Sequence, residues 1–184
     1  MKRITYLLLV GVLFMTACGE DRIAQNVLNL DGDNFTAPNL PEDVYEAASQ
    51  FSAAVVAPYA GQQLKEVEVY MYDSPLSTLV KIYGPGDGNG PGSLLYEGDL
   101  TGNIRNNNWT THILSEPLVL TGEELWISVR LRHARTLQSI GCDEGPTERG
   151  GDWLFMTSDN SWQRFGDRFP SESINWNIRG IVEE

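Results

Sequence analysis

Between Leu64 and Val182 apolar and polar residues alternate in short runs, and Gly, Pro, Asn or Asp cuts each run off. In 64–72, Val67, Val69 and Met71 fall on one face, with Glu66, Glu68, Tyr70 and Tyr72 on the other. A period of two belongs to a half-buried strand, since a helix would need about 3.6. Thr78, Val80 and Ile82 oppose Leu79, Lys81 and Tyr83 in the same way, and GPGDGNGPG over 84–92 then stops any ladder. Leu125, Ile127, Val129 and Leu131 form another inward row, with Trp126, Ser128, Arg130 and Arg132 outward. Further strands are expected over 93–100, 109–114, 153–157 and 176–182, and by parity Trp153 and Trp176 go to the core. No long amphipathic helix is present; 53–63 holds one short turn at most. The chain is therefore expected to be all-β, an antiparallel two-sheet β-sandwich over 43–184.

The first residues, MKRITYLLLVGVLFMTAC, place Lys2 and Arg3 before a short apolar stretch that ends in small residues and a cysteine, the order of an export signal. The stretch is shorter than the roughly 20 apolar residues that span a bilayer. Leu13 to Cys18 resembles the lipobox of bacterial lipoproteins. That resemblance implies a signal peptide over 1–17, cleavage ahead of Cys18 and acyl chains on its thiol, which would anchor the chain to a membrane without embedding it. Gly19 after the cysteine, with Glu20 and Asp21 beyond it, resembles sorting to the outer membrane and the cell surface. The polar stretch from Gly19 to about Pro41 is expected to be a flexible spacer, giving an N-terminal segment over 18–42.

The chain carries 13 basic against 25 acidic residues, a formal net charge of −12, and cleavage ahead of Cys18 would remove two bases and no acid. Such a balance argues against nucleic acid, whose phosphates need clustered Lys and Arg. With Cys18 lipidated, Cys142 has no partner for an intrachain disulfide, so stability must come from a core.

A series of stretches, APYAGQQLKEVEVYMYDSP from Ala57, LVKIYGPG from Leu79, PGSLLYEGDL from Pro91, PLVLTGEELWISV from Pro117, GCDEGP from Gly141, GGDWLFMT from Gly150 and NWNIRGIV from Asn175, resembles jelly-roll adhesin-like domains of the cleaved-adhesin type in Bacteroidetes surface proteins. The resemblance spans roughly Asp43 to Glu184. It implies a jelly-roll sandwich that binds rather than reacts, with a glycan or a protein as ligand. It carries over no binding residue.

The residues themselves offer little for catalysis. His112 and His133 have no His or Cys at metal-ligand spacing, and no protease signature surrounds Cys142, nine residues beyond His133. The glycine-rich segment at Gly84 lacks the Lys and Ser/Thr of a phosphate loop. Glu66 and Glu68 share a strand face, as glycosidase carboxylates can, but that spacing does not define a cleft. Two acidic loops offer oxygens to a structural calcium: DGDN over 31–34, and 142–152 with Asp143, Glu144, Glu148 and Asp152; solvated turns explain both as well. Aromatics are the more suggestive feature. Tyr70, Tyr72, Tyr83 and Trp126 are expected outward, beside Lys81, Arg130 and Arg132, with Trp162 near a hairpin tip. Such a surface suits a sugar ring or a protein, although rings on an outer sheet face also cover loops or pair across strands. Two main readings stand: a non-catalytic, membrane-tethered binding module, or a structural accessory subunit of an envelope or fimbria-like assembly. A hydrolase is the third.

Overall fold

The computed structural model describes residues 26–184, so the expected signal peptide and the lipidation at Cys18 lie outside the described residues. Among the described residues are twelve strands: β1 (Asn26–Leu28), β2 (Asn39–Leu40), β3 (Val44–Phe51), β4 (Gln63–Met71), β5 (Ser77–Tyr83), β6 (Leu94–Asp99), β7 (Asn108–Val119), β8 (Leu125–Arg132), β9 (Leu137–Gln138), β10 (Trp153–Met156), β11 (Ser161–Arg164) and β12 (Ile178–Glu183). Helix is limited among them to single turns such as α1 (Ala53–Val56) and α2 (Phe165–Arg168), and none is long and apolar enough to cross a membrane.

The strands form a four-stranded sheet in the order β1-β12-β4-β7, a six-stranded sheet in the order β11-β10-β3-β8-β5-β6, and a small β2-β9 pair. Every pairing is antiparallel. The chain changes sheet at β3→β4, β4→β5, β6→β7, β7→β8 and β11→β12, while β5-β6 and β10-β11 stay together as hairpins. This is an antiparallel β-sandwich of jelly-roll type. The alternation read from sequence supplies both inner faces: Val67, Val69 and Met71 of β4 meet Ile127, Val129 and Leu131 of β8, with Val80 and Ile82 of β5 and Ile178 and Val182 of β12. All are buried, and a side chain of this kind contributes about 1.5–3 kcal/mol when fully buried.

Two parts of the reading change. Residues 26–42 are not a spacer: β1 pairs with β12, β2 pairs with β9, Thr36 bridges to Cys142, and Leu28 and Leu40 belong to the core. Asp and Asn punctuate this stretch because its turns are tight, and its strands are too short to show alternation. β3, a central strand between β10 and β8, is an addition to the strands expected from sequence. Its middle, EAAS, is buried on both faces and shows no alternation to read.

Candidate functional site

The outer face of the four-stranded sheet carries an aromatic row. Tyr70 lies across β4/β7 from Trp109, their rings 5.7 Å apart and edge to face, and the Tyr72 ring follows 5.4 Å from Tyr70. From β12, the Arg179 guanidinium sits 4.1 Å above the Trp109 ring. Arg179 is held in turn by the buried Asp31 carboxylate, whose Oδ2 accepts from its Nη2 at 2.8 Å and from its Nε at 3.0 Å. The phenol groups are fixed as well: Tyr70 Oη donates to the Asn107 carbonyl at 3.0 Å, and Tyr72 Oη accepts from Asn34 Nδ2, also at 3.0 Å. Rings locked in this way offer rigid contact area with little entropy left to lose.

Beside this row, the edge strand β7 and the loop before it form a cleft of about 550 Å³, lined by Asn103, Ile104, Arg105, Trp109, Thr110 and Thr111 with Gly102. The size suits a small ligand. Its turn is tight enough to hold Asn107 at φ 55°, a left-handed conformation that asparagine tolerates better than most residues. The Arg105 backbone N–H is tied to Thr110 Oγ1 at 3.2 Å. Of the cleft residues, only Trp109 and Thr110–Thr111 figured in the sequence reading, and only as part of a strand. The available signal is the polar turn NIRNNNWTT, in which three asparagines separate a cation from a tryptophan.

The remaining aromatics expected to share this surface lie on the opposite side of the molecule. Trp126, Tyr83, Arg130 and Trp162 belong to the six-stranded sheet, as do Lys81 and Arg132. Trp126 faces away from the main core, as its parity requires, yet its exposure is 0 %. Trp153 packs on it at 5.1 Å and Trp162 at 6.0 Å, and its Nε1 donates to Glu124 Oε1 at 2.7 Å. Glu124 also accepts from Gly86 N at 3.0 Å, which pins the glycine-rich loop nearby. That loop rests on Trp162 at Gly90, where an added Cβ would come within 2.7 Å of the indole. The expectation of a bare Trp126 is thus corrected: parity names a face, and here that face is covered. Trp153, assigned to the core, is half-buried on this same outer layer, with Arg164 over its ring; Trp176 is in the core.

Beneath this layer lies a closed polar network. Glu46, 2 % exposed, accepts from Tyr83 Oη at 2.6 Å and Ser128 Oγ at 2.7 Å, while Arg130 Nη1 stands at 3.4 Å and Lys81 Nζ at 3.8 Å. Burial, reinforced by the Glu46 charge, pushes the Tyr83 phenol well above its ordinary value. Tyr83 and Arg130 are therefore engaged with Glu46 rather than free to turn outward.

The acidic loop over 142–152 does not gather its carboxylates. Among the described residues no group of three or more His, Cys, Asp or Glu side chains is placed to hold a metal ion. Asp143 is buried, and its oxygens accept from Gly32 N and Gly145 N, both at 2.9 Å, and from Asn175 N at 2.7 Å and Asn175 Nδ2 at 3.0 Å. Burial alone would raise this carboxyl; the donors of Asn175, Gly32 and Gly145 outweigh it and hold the group below its ordinary 3.8. Asp152 binds Arg164 Nε and Gly166 N, whereas Glu144 and Glu148 are exposed. These aspartates staple loops together, and Asp31 of the DGDN stretch is spent on Arg179 and Asn177.

Cys142 is fully buried, and burial, with Asp143 and Glu172 nearby, pushes its thiol up to about 12. His133 is engaged with Ser139 Oγ at 2.8 Å and His112 with Tyr96 Oη, also at 2.8 Å. Glu66 and Glu68 lie half-buried on the outer face of β4.

No family model and no curated protein matches the chain. Among solved structures it is similar to the clostridial cysteine protease Cwp84 after propeptide cleavage, at 11% identity and a TM-score of 0.60, over 86% of this chain and 40% of that one. It is also similar to a structure of the cysteine protease and lectin-like domains of Cwp84, a surface layer associated protein of Clostridium difficile, at 11% identity and a TM-score of 0.52, over 86% of this chain and 37% of that one. The chain thus spans about two fifths of the proteins it resembles, and at this identity the likeness establishes a shared sandwich fold.

Proposed function

We propose that this protein is a non-catalytic glycan-binding module, tethered by lipid at Cys18 and displayed on the outer membrane surface. The observation that carries the reading is the cleft at β7, lined by a tryptophan together with Asn103, Arg105 and Thr111, with Tyr70 packed against that tryptophan and Tyr72 beyond it. Sugar rings present an apolar C–H face to an aromatic and a rim of hydroxyls to polar groups, and this site offers both partners at adjoining positions. The buried, raised thiol and the histidines committed to Ser139 and Tyr96 support a binding role over a nucleophilic one. Likeness of fold to a surface protein that carries a lectin-like domain supports the same reading.

The test is a glycan array probed with the full-length chain and with Trp109→Ala. Binding to a defined set of glycans, lost in the variant, is the expected result. A wild-type chain that binds no glycan overturns the reading.

A second reading is assembly into an envelope or fimbria-like structure. It is favoured by β7, an edge strand of twelve residues that leaves Ile113 71 % and Val119 55 % exposed. Uncovered apolar edges invite strand addition. Concentration-dependent association in sedimentation velocity, abolished by Ile113→Lys, would select it; a monomer at every concentration would retire it.

A further inference from the structure

We infer that the cleft selects glycans bearing an acidic group, with Arg105 as the residue that reads the charge. The inference rests on the proposed glycan site and narrows its ligand class.

Its ground is the cleft lining itself, which holds no carboxylate although the chain carries 25 acidic residues. Arg105 is exposed within that lining, and among the described residues its guanidinium makes no ion pair and no hydrogen bond; only its backbone N–H is engaged, with Thr110. Arg179, Arg164, Arg168 and Arg130 are paired, with Asp31, Asp152, Asp159 and Glu46; Arg132, Arg135 and Arg149 make no ion pair either, but they lie outside the cleft lining. A free guanidinium in the same cleft as Trp109 can meet an incoming anion without first breaking a bond of its own.

The geometry divides the work. Trp109 is immobilised by Tyr70 and Arg179 and supplies the stacking wall; Thr111 and Asn103 offer groups for ring hydroxyls. Arg105 supplies the planar fork that takes a carboxylate or a sulfate oxygen pair side by side. A strongly acidic protein repels acidic polymers at long range, so a local cation in a carboxylate-free lining is what such a ligand requires.

The experiment uses the glycan array with the full-length chain, Arg105→Gln and Arg105→Lys, at low and high salt, and includes methyl-esterified and desulfated counterparts of the acidic glycans. Acidic glycans are expected to dominate the bound set, with affinity falling about ten- to hundredfold in Arg105→Gln, the loss typical of one charge-assisted contact. Arg105→Lys should recover part of it, and rising salt should weaken binding. Loss on esterification identifies a carboxylate and loss on desulfation a sulfate; either supports the inference. Neutral glycans bound through Trp109, with no effect of Arg105→Gln, overturn the inference and leave the glycan-binding reading standing. No bound glycan of any kind overturns both.

Discussion

At the scale of single residues, Trp126 separates parity from exposure. Its indole is boxed by Trp153, Trp162 and the Glu124 carboxylate. Trp126→Ala is expected to cost about 3–5 kcal/mol in urea denaturation, the cost of truncating a buried aromatic. Trp109 makes one edge-to-face pair and one cation–π contact, so Trp109→Ala should cost about 1–2 kcal/mol by the same measurement. If the two variants lost equal stability, the assignment of one ring to covered structure and the other to an open site would fail. Cys142 gives a second contrast. A thiol held near 12 and fully buried should not react with a thiol reagent in the native chain and should react at once in urea. Labelling at Cys142 itself, located by peptide mapping in the native protein, would place that thiol at the surface.

At the scale of elements, β4 and β5 were legible in the sequence because one face of each is buried and the other half-open, and β8, though covered on both faces over most of its length, was legible because Ser128, Arg130 and Arg132 alternate with its aliphatic row. β3 was not, since its covered middle, EAAS, shows no such alternation, and Glu46 within it is paired only through residues far away in sequence. β1 and β2 were hidden by their shortness. A chain beginning at Asp43 would lack Leu28, Leu40 and the β1–β12 ladder, so it is expected to unfold at markedly lower urea than one beginning at Asn26; equal midpoints would return 26–42 to the role of a spacer. The site was legible only in part. Tyr70 and Tyr72 could be named from alternation, but no local pattern shows that Trp126 and Tyr83 occupy the opposite sheet, or that the turn before β7 opens a cleft. The acidic loop illustrates the same limit: its carboxylates look like cation ligands until Asn175 and Gly32, distant in sequence, are seen donating to Asp143. Asp143→Ala should cost about 1.5–3 kcal/mol, as expected when a charged acceptor is removed, and a chelator should leave the melting temperature of the wild-type chain unchanged. A chelator-induced drop would reinstate a bound cation.

At the scale of the whole molecule, stability should depend on pH in two stages. Burial lowers the values of His112 and His133 below 6.5, so between those lowered values and 6.5 the unfolded chain binds more protons than the folded one. Stability is therefore expected to be full above pH 6.5 and to fall as the pH drops through that value. Asp143, Asp43 and Glu124 are held below their ordinary values of 3.8, 3.8 and 4.5, and their contribution is lost further down, as the pH falls through each lowered value. Thermal melts across the acid range should show both steps, and a melting temperature that rose on acidification from pH 7 to 5 would contradict this linkage. Ligand binding at the β7 cleft, as opposed to the six-stranded sheet, has a direct probe in the chain's five tryptophans. Three indole N–H groups are committed to internal acceptors, those of Trp126, Trp153 and Trp176. Nuclear magnetic resonance of the 15N-labelled full-length chain, titrated with the strongest glycan from the array, should shift the Trp109 indole signal and leave those of Trp126, Trp153, Trp162 and Trp176 in place; movement of Trp162 and Trp153 with Trp109 unmoved would contradict the account.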